Sequence, residues 1–414
     1  MGYWYDELWT IDAVLGNLTR MRQILAADVH PPLYHLILWM WIRLFGVGEV
    51  ATRALSCFAL AGAVPLVYAL GRRLGLGRWA AAGTAGAVGM CHASAVFALE
   101  TRPYTFLLLS STAAALTVVR ARTRADLLLA WAAGLAATAI HYAALFYLLP
   151  LAVLFAVCDR DLRKGWLVPA WLFALLPFTF YVKSQAKLFA TYTWLFPPKW
   201  FDVAAYFEYA LGFTHALAVY ALFSAAALAV AANRRELPAR LWLLMAPFVL
   251  CSVTAVSYLA QPIFHIRYVY TLQPWLFFVA AYLLDQLPQT SLRAAAAAAL
   301  VVFVAAHTAD LGVFKTEDWR LAVAYAKEHR RDEAVVTTAG AKWFRVYVPD
   351  IEILDENDVD AARAWVRRRA GQHVWMLQAR DYAKTPVRQL LADTSDIEDL
   401  QEFTGSRALL LRIR

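Results

Sequence analysis

The chain has 414 residues, 61% of them apolar and 17% charged, with a mean hydropathy of +0.50 and a formal net charge of +8. Soluble domains are about 45–50% apolar, so this composition excludes an ordinary soluble protein and predicts an α-helical polytopic membrane protein. The basic balance comes from arginines in short loops between apolar runs and not from a separate basic domain, which sets nucleic acid aside as a partner and suits cytoplasmic anchoring charge instead.

The first thirty residues are polar and aromatic and show no cleavable signal peptide. Met1-Gly2 begins like a myristoylation site, but Asp6 stands where Ser or Thr is required. The stretch 31–46, PPLYHLILWMWIRLFG, is too short for a comfortable span. Pro31 and Pro32 suit a first helical turn, where their missing N–H groups are not needed. Tyr34, Trp39 and Trp41 suit an interface. An amphipathic or re-entrant helix at the outer surface is expected there. Ten spans are predicted, at 53–72, 79–97, 104–119, 127–140, 143–157, 166–182, 214–232, 241–259, 268–284 and 294–309. His141-Tyr142 divides the fourth from the fifth. Gly83, Gly86 and Gly89 read as small residues for close helix packing. Gly71, Gly75 and Gly77 follow no strand and make no nucleotide fingerprint.

The loop 183–213 is aromatic, holds Pro197-Pro198, and is expected along the membrane surface. From about residue 315 charges become dense. A helix is predicted at 318–330, strands at 334–338, 373–378 and 407–413, and a helix at 357–370. Cys57, Cys91, Cys158 and Cys251 have no metal-ligand spacing and read as buried small hydrophobes. The organisation expected is an extracytoplasmic first segment with juxtamembrane helices, 1–52, a bundle of about ten helices, 53–310, and a small C-terminal α/β extracytoplasmic domain, 311–414.

Loop charge sets the orientation. Alternate loops carry thirteen Lys and Arg residues, among them Arg72, Arg120, Arg163, Arg234 and Arg293. The internal loops of the other set carry five: Arg102, Lys183, Lys187, Lys199 and Arg267. The first set is cytoplasmic by the positive-inside rule, so the second faces outward. Asp6-Glu7, His30-Pro31-Pro32, Glu100-Thr101-Arg102-Pro103-Tyr104, His141-Tyr142 and His265-Ile266-Arg267-Tyr268 then share the outer face.

Each motif has a plain reading and a chemical one. Asp6 and Glu7 are either helix-start acids near an N-terminal dipole or a general base at the lipid boundary. His30 marks a loop-to-helix boundary or the mouth of a cleft. Glu100 and Arg102 form a solvated loop pair, or Arg102 clamps a phosphate while Glu100 orients it or meets a sugar hydroxyl. Tyr104 is an interface aromatic or part of that site. His141 is a hydrogen-bonded group at a helix end, or a functional ionisable residue close to the membrane. His265, Arg267 and Tyr268 precede the ninth span and offer a second phosphate contact. His30, His141 and His265 permit a metal site that their spacing does not demand.

Taken in order, Asp6-Glu7, His30-Pro31-Pro32-Leu33-Tyr34, Leu44-Phe45-Gly46, Glu49 with Arg53 and Ser56, Glu100-Thr101-Arg102-Pro103-Tyr104, and Arg267-Tyr268 with Pro274 resemble the GT-C-type glycosyltransferases. The nearest group is glycosyltransferase family 39, the dolichyl-phosphate-mannose–protein mannosyltransferase relatives, with kinship to the lipid A aminoarabinose transferases. The similarity covers roughly residues 3–120 and thins through 310. It implies a GT-C-like bundle and transfer of a sugar from a polyprenyl-phosphate donor to a lipid, glycan or protein acceptor, outside a bacterial cytoplasmic membrane. It maps an acid of the first external loop onto Asp6, and onto Glu7 as second candidate. Relatives carry a transmembrane helix before that acid, so a first helix is expected to be missing here. No cofactor is required, and a divalent metal stays open. The rival readings are a lipid-linked-sugar flippase and an inactive sugar-lipid-binding relative.

Overall fold

The computed structural model describes residues 2–26, 28, 30–158, 161–173, 196–311, 318–356, 358–379 and 385–414. Two units emerge, Asn17–Val313 and a second that joins Met1–Gly16 to Phe314–Arg414. The sequence reading cut the chain near residue 52; the packing instead divides it at Gly16, directly after the first helix.

In the larger unit, helix occupies nine of the ten predicted spans among the described residues; most of the tenth, 166–182, lies outside them. Leu33–Phe45 is the expected short helix behind the two prolines. Among the described residues four helices are long and apolar enough to cross a membrane: Glu49–Arg73, Ala216–Asn233, Ala239–Leu259 and Thr290–Ala309. A fifth results if Arg78–Met90 and His92–Ala98, bent by 52° at Cys91, count as one broken span. Tyr104–Arg120 and Ala143–Cys158 have 17 and 16 residues. Such helices reach only about 25 Å, short of an apolar core of about 30 Å. Nine of the ten expected spans therefore stand as helices among the described residues, while fewer of them qualify as spans by length and composition.

Helix Glu49–Arg73 shows how the two ends of the bundle differ. Near its start the Thr52 hydroxyl lies 2.9 Å from that of Thr101, and Ser56 Oγ donates to the Glu100 carbonyl at 2.6 Å. Near its end, some 30 Å away by helical rise, the basic loops meet. Arg240 donates to the Leu74 carbonyl at 2.7 Å, and Asp285 accepts from the Gly77 N–H at 2.8 Å. Each end ties together loops that are distant in sequence.

Close helix approach rests on glycine where predicted. A Cβ on Gly83 would lie 3.0 Å from that of Ala297, and one on Gly86 would lie 2.7 Å from a Val301 methyl. The tightest helix glycine is Gly134, where a Cβ would stand 2.3 Å from Trp171 Nε1. That indole is fully buried and donates to the Trp131 carbonyl at 3.0 Å. Gly134→Ala is thus expected to destabilise the detergent-solubilised protein by about 1–3 kcal/mol, the usual effect of overpacking. An unchanged thermal unfolding midpoint would show that Trp171 yields without loss. Of the cysteines only Cys91 is buried as expected; Cys57 and Cys251 are exposed on helix faces, where an apolar residue in a bundle meets lipid.

The smaller unit carries a five-stranded sheet: β1 (Ala334–Thr338), β2 (Glu352–Leu354), β3 (His373–Ala379), β4 (Ser395–Phe403) and β5 (Ser406–Ile413). Their order is β2-β1-β3-β5-β4. β1 runs parallel to β2 and β3, while β5 runs antiparallel to β3 and β4. Strand alternation sends Val374 and Met376 into a core with Trp365, Val387 and Leu391. Trp375 turns the other way, to Tyr325 of helix Trp319–His329 at 5.9 Å between ring centres.

Helix Tyr5–Leu15 completes this unit. Its apolar stripe Leu8, Ile11 and Val14 is fully buried, at the spacing of one helical face. Tyr5 packs on Trp343 at 4.5 Å, the Tyr3 N–H donates to the Tyr347 hydroxyl at 2.7 Å, and buried Asp12 forms a two-point ion pair with Arg345.

Candidate functional site

Three loops of the larger unit converge on the predicted motif residues. The first is 28–32. Asp28 Oδ2 accepts from both the His30 N–H, at 3.2 Å, and the His30 ring Nδ1, at 2.6 Å. This local turn, of the kind Asp favours, orients the imidazole. His30 Nε2 then lies 3.3 Å from Arg102 Nη2. A guanidinium only donates, so Nε2 accepts, and the proton of His30 sits on Nδ1 facing Asp28.

The second loop is 99–103. Besides Thr52 and Ser56, Cys57 Sγ reaches the Ala98 carbonyl at 3.3 Å. Pinned in this way, Glu100 and Arg102 are 7% and 4% exposed, and Tyr104, at the start of its helix, is 2% exposed. A guanidinium held that far from water interacts strongly with any anion brought beside it. The third loop is 260–267. Ser257 Oγ accepts the N–H groups of Ile263 and Phe264 at 3.1 Å each, and His265 Nδ1 accepts from the Arg267 N–H at 3.3 Å.

Tyr104 is the common neighbour. The guanidinium carbons of Arg102 and Arg267 each lie 5.7 Å from its ring centre, and the His141 ring lies 6.0 Å from it. His141 is also 5.4 Å from the His30 ring and 5.2 Å from that of Tyr268. His141 sits in the break between Arg124–Ile140 and Ala143–Cys158, with extended backbone. Its Nδ1 accepts the Ala143 N–H at 3.1 Å. Its Nε2 is buried with no hydrogen-bond partner among the described residues. Burial, then the charges of His30 and Arg102, hold its pKa well below the usual histidine value. A buried donor left unmet costs about 1–3 kcal/mol.

The structure thus brings together His30, Arg102, Tyr104, His141, Arg267 and Tyr268, with Glu100 buried beside them. His265 joins at the edge, through Tyr268 at 5.5 Å. Asp6 and Glu7 lie in the other unit. Glu7 is fully buried and its Oε2 accepts from the Trp4 N–H at 3.3 Å, whereas Asp6 is only half-buried on the first helical turn. Among the described residues no group of three or more His, Cys, Asp or Glu side chains is placed to hold a metal ion.

Three neighbours were not foreseen. Asp28 orients His30. His35 is 1% exposed, 6.4 Å from His30 ring to ring, and burial drives its pKa down to about 3. Tyr209 comes from helix Trp200–Leu211; burial and then Glu100 push its phenol up. Only Asp28 had a local signal, a carboxylate two residues before a ring at a turn.

The helical bundle with its small sheet domain is the GT-C arrangement implied by the motif order. Residues 29–184 match the family model described as dolichyl-phosphate-mannose-protein mannosyltransferase. The structure is similar to that of ArnT from Cupriavidus metallidurans in the apo state, with a TM-score of 0.63 at 14% identity, over 99% of this chain and 94% of that one. The same protein bound to undecaprenyl phosphate aligns at 0.62 and 13% identity, with the same coverage. At that identity the likeness is one of fold. No curated protein matches the sequence.

Proposed function

We propose that the protein is a glycosyltransferase that moves a sugar from a polyprenyl-phosphate donor to an acceptor at the extracytoplasmic face of the membrane, with inversion at the anomeric carbon. One observation carries this reading: two arginines from separate loops, Arg102 and Arg267, each come within 5.7 Å of the centre of the same buried Tyr104 ring at the motif end of an apolar bundle. Paired guanidiniums suit a phosphate, and the apolar helices suit its prenyl chain. The family model supports the sugar-lipid chemistry, and the undecaprenyl phosphate in the ArnT structure supports the lipid class.

The acceptor oxygen attacks the anomeric carbon as the bond from that carbon to the phosphate oxygen breaks. The acceptor's proton passes to Asp6, the half-exposed acid of the pair. Polyprenyl phosphate leaves already ionised, so no general acid is required. Arg102 and Arg267 stabilise the charge growing on phosphate, an effect of preorganised donors, and His30 holds the Arg102 guanidinium in place. The test is mass spectrometry of lipid retained through purification, followed by incubation with labelled donor and candidate acceptors. A bound polyprenyl-phosphate sugar and a glycosylated acceptor are expected. Movement of labelled donor across vesicles without bond formation would identify a flippase instead.

A further inference from the structure

We propose that His141 is a neutral hydrogen-bond donor to the phosphate of the lipid donor, its ring locked by the main chain into the tautomer that carries the proton on Nε2. The assignment rests on the polyprenyl-phosphate reading above and adds a residue-level role to it.

The lock is geometric. The Ala143 N–H can only donate, and it points at His141 Nδ1 at 3.1 Å. That nitrogen must therefore offer a lone pair, and the proton belongs on the other nitrogen. Protonating both nitrogens would set two N–H groups against each other. His30 is held in the opposite sense, with its proton turned to Asp28 and its lone pair to Arg102. The two imidazoles are thus not interchangeable. One completes the cationic cradle as an acceptor for Arg102, and the other presents a donor.

The His141 donor is buried and unmet among the described residues. Its ring borders the same Tyr104 ring as both guanidiniums. An anion seated between Arg102 and Arg267 is the acceptor these surroundings suit. A donor that stays neutral adds a directed bond without adding to the repulsion among Arg102, Arg267 and any charge on His30.

Asparagine and glutamine separate this role from a structural one. The Oδ1 of Asn falls near the imidazole Nδ1 and can still accept from Ala143, but nothing takes the place of Nε2. The amide nitrogen of Gln falls near Nε2 and restores the donor. Undecaprenyl phosphate without sugar is bound to the full-length protein in nanodiscs, and melting temperatures are recorded alongside. H141Q is expected to bind within about threefold of the unaltered protein, and H141N to bind about 10–100-fold more weakly, the loss for a hydrogen bond to a charged group. Unaltered affinity in H141N, or an H141Q no better than H141N, overturns the assignment. If the unaltered protein itself binds no polyprenyl phosphate, the functional reading falls first and this assignment with it.

Discussion

Asp6→Asn is expected to slow glycosyl transfer by about 10²–10⁴-fold, the usual contribution of a positioned general base, while donor-lipid affinity stays near its original value. The two adjacent acids are not equivalent. Glu7 is fully buried and accepts the Trp4 N–H, a role that closes the first helical turn. Asp6 emerges on the same turn with part of its surface in solvent. An acid that must collect a proton from an acceptor needs that access. Glu7→Gln should therefore register mainly as lost stability, and Asp6→Asn as lost turnover. The measurement is single-turnover transfer with saturating donor, on protein whose melting temperature is unaltered. Transfer at the original rate by folded Asp6→Asn protein would take Asp6 out of the chemistry.

Arg102→Leu is expected to lower kcat/KM by about 10²–10³-fold, as deletion of one preorganised oxyanion donor does elsewhere, and to weaken polyprenyl-phosphate binding as well. Arg102 is 4% exposed and held beside His30, so its charge is already desolvated before the ligand arrives. Arg102→Lys should recover little of the loss, because an ammonium is a compact, strongly hydrated point charge without the planar fork. Titration of undecaprenyl phosphate against both variants is the check. Affinity and transfer both intact in Arg102→Leu would move the phosphate site elsewhere.

The helical architecture was legible because hydropathy and loop charge act over long runs. The break at His141 was legible because a polar pair interrupts about thirty apolar residues. The glycine positions against Ala297 and Val301 could be anticipated from type, though their partners could not. In the sheet domain β1, β3 and β5 were visible as β-branched or aliphatic runs. β4 was not, because SDIEDLQEF is rich in acids and reads as a solvated loop. It persists as an edge strand paired with β5, and the register shift between Ile397 and Asp399 breaks its alternation.

Within the candidate site the arginines, Tyr104, His30 and His141 were all named from sequence, since charge and histidine stand out in an apolar chain. What holds them was hidden. Ser56, Ser257 and Asp28 act through one or two hydrogen bonds each, to distant or turning backbone and, for Asp28, to the His30 ring, and no periodicity announces that. His35 sat in a helix whose apolar pattern explained it equally well, and Tyr209 in a stretch read as an aromatic surface loop, where the structure has helix Trp200–Leu211.

The union of residues 2–16 with the carboxyl-terminal sheet has a temporal meaning. Domains assemble as units while the chain is being made, earlier parts first. Here the earlier part must wait, because the tyrosine, tryptophan and arginine surfaces that shelter Tyr3, Tyr5 and Asp12 belong to 319–347. The membrane-embedded helices are all translated in the interval. Asp6 thus acquires its lodging only once translation is nearly over, so an unfinished product would carry the helices of the larger unit while residues 2–16 still lacked the surfaces that bury them.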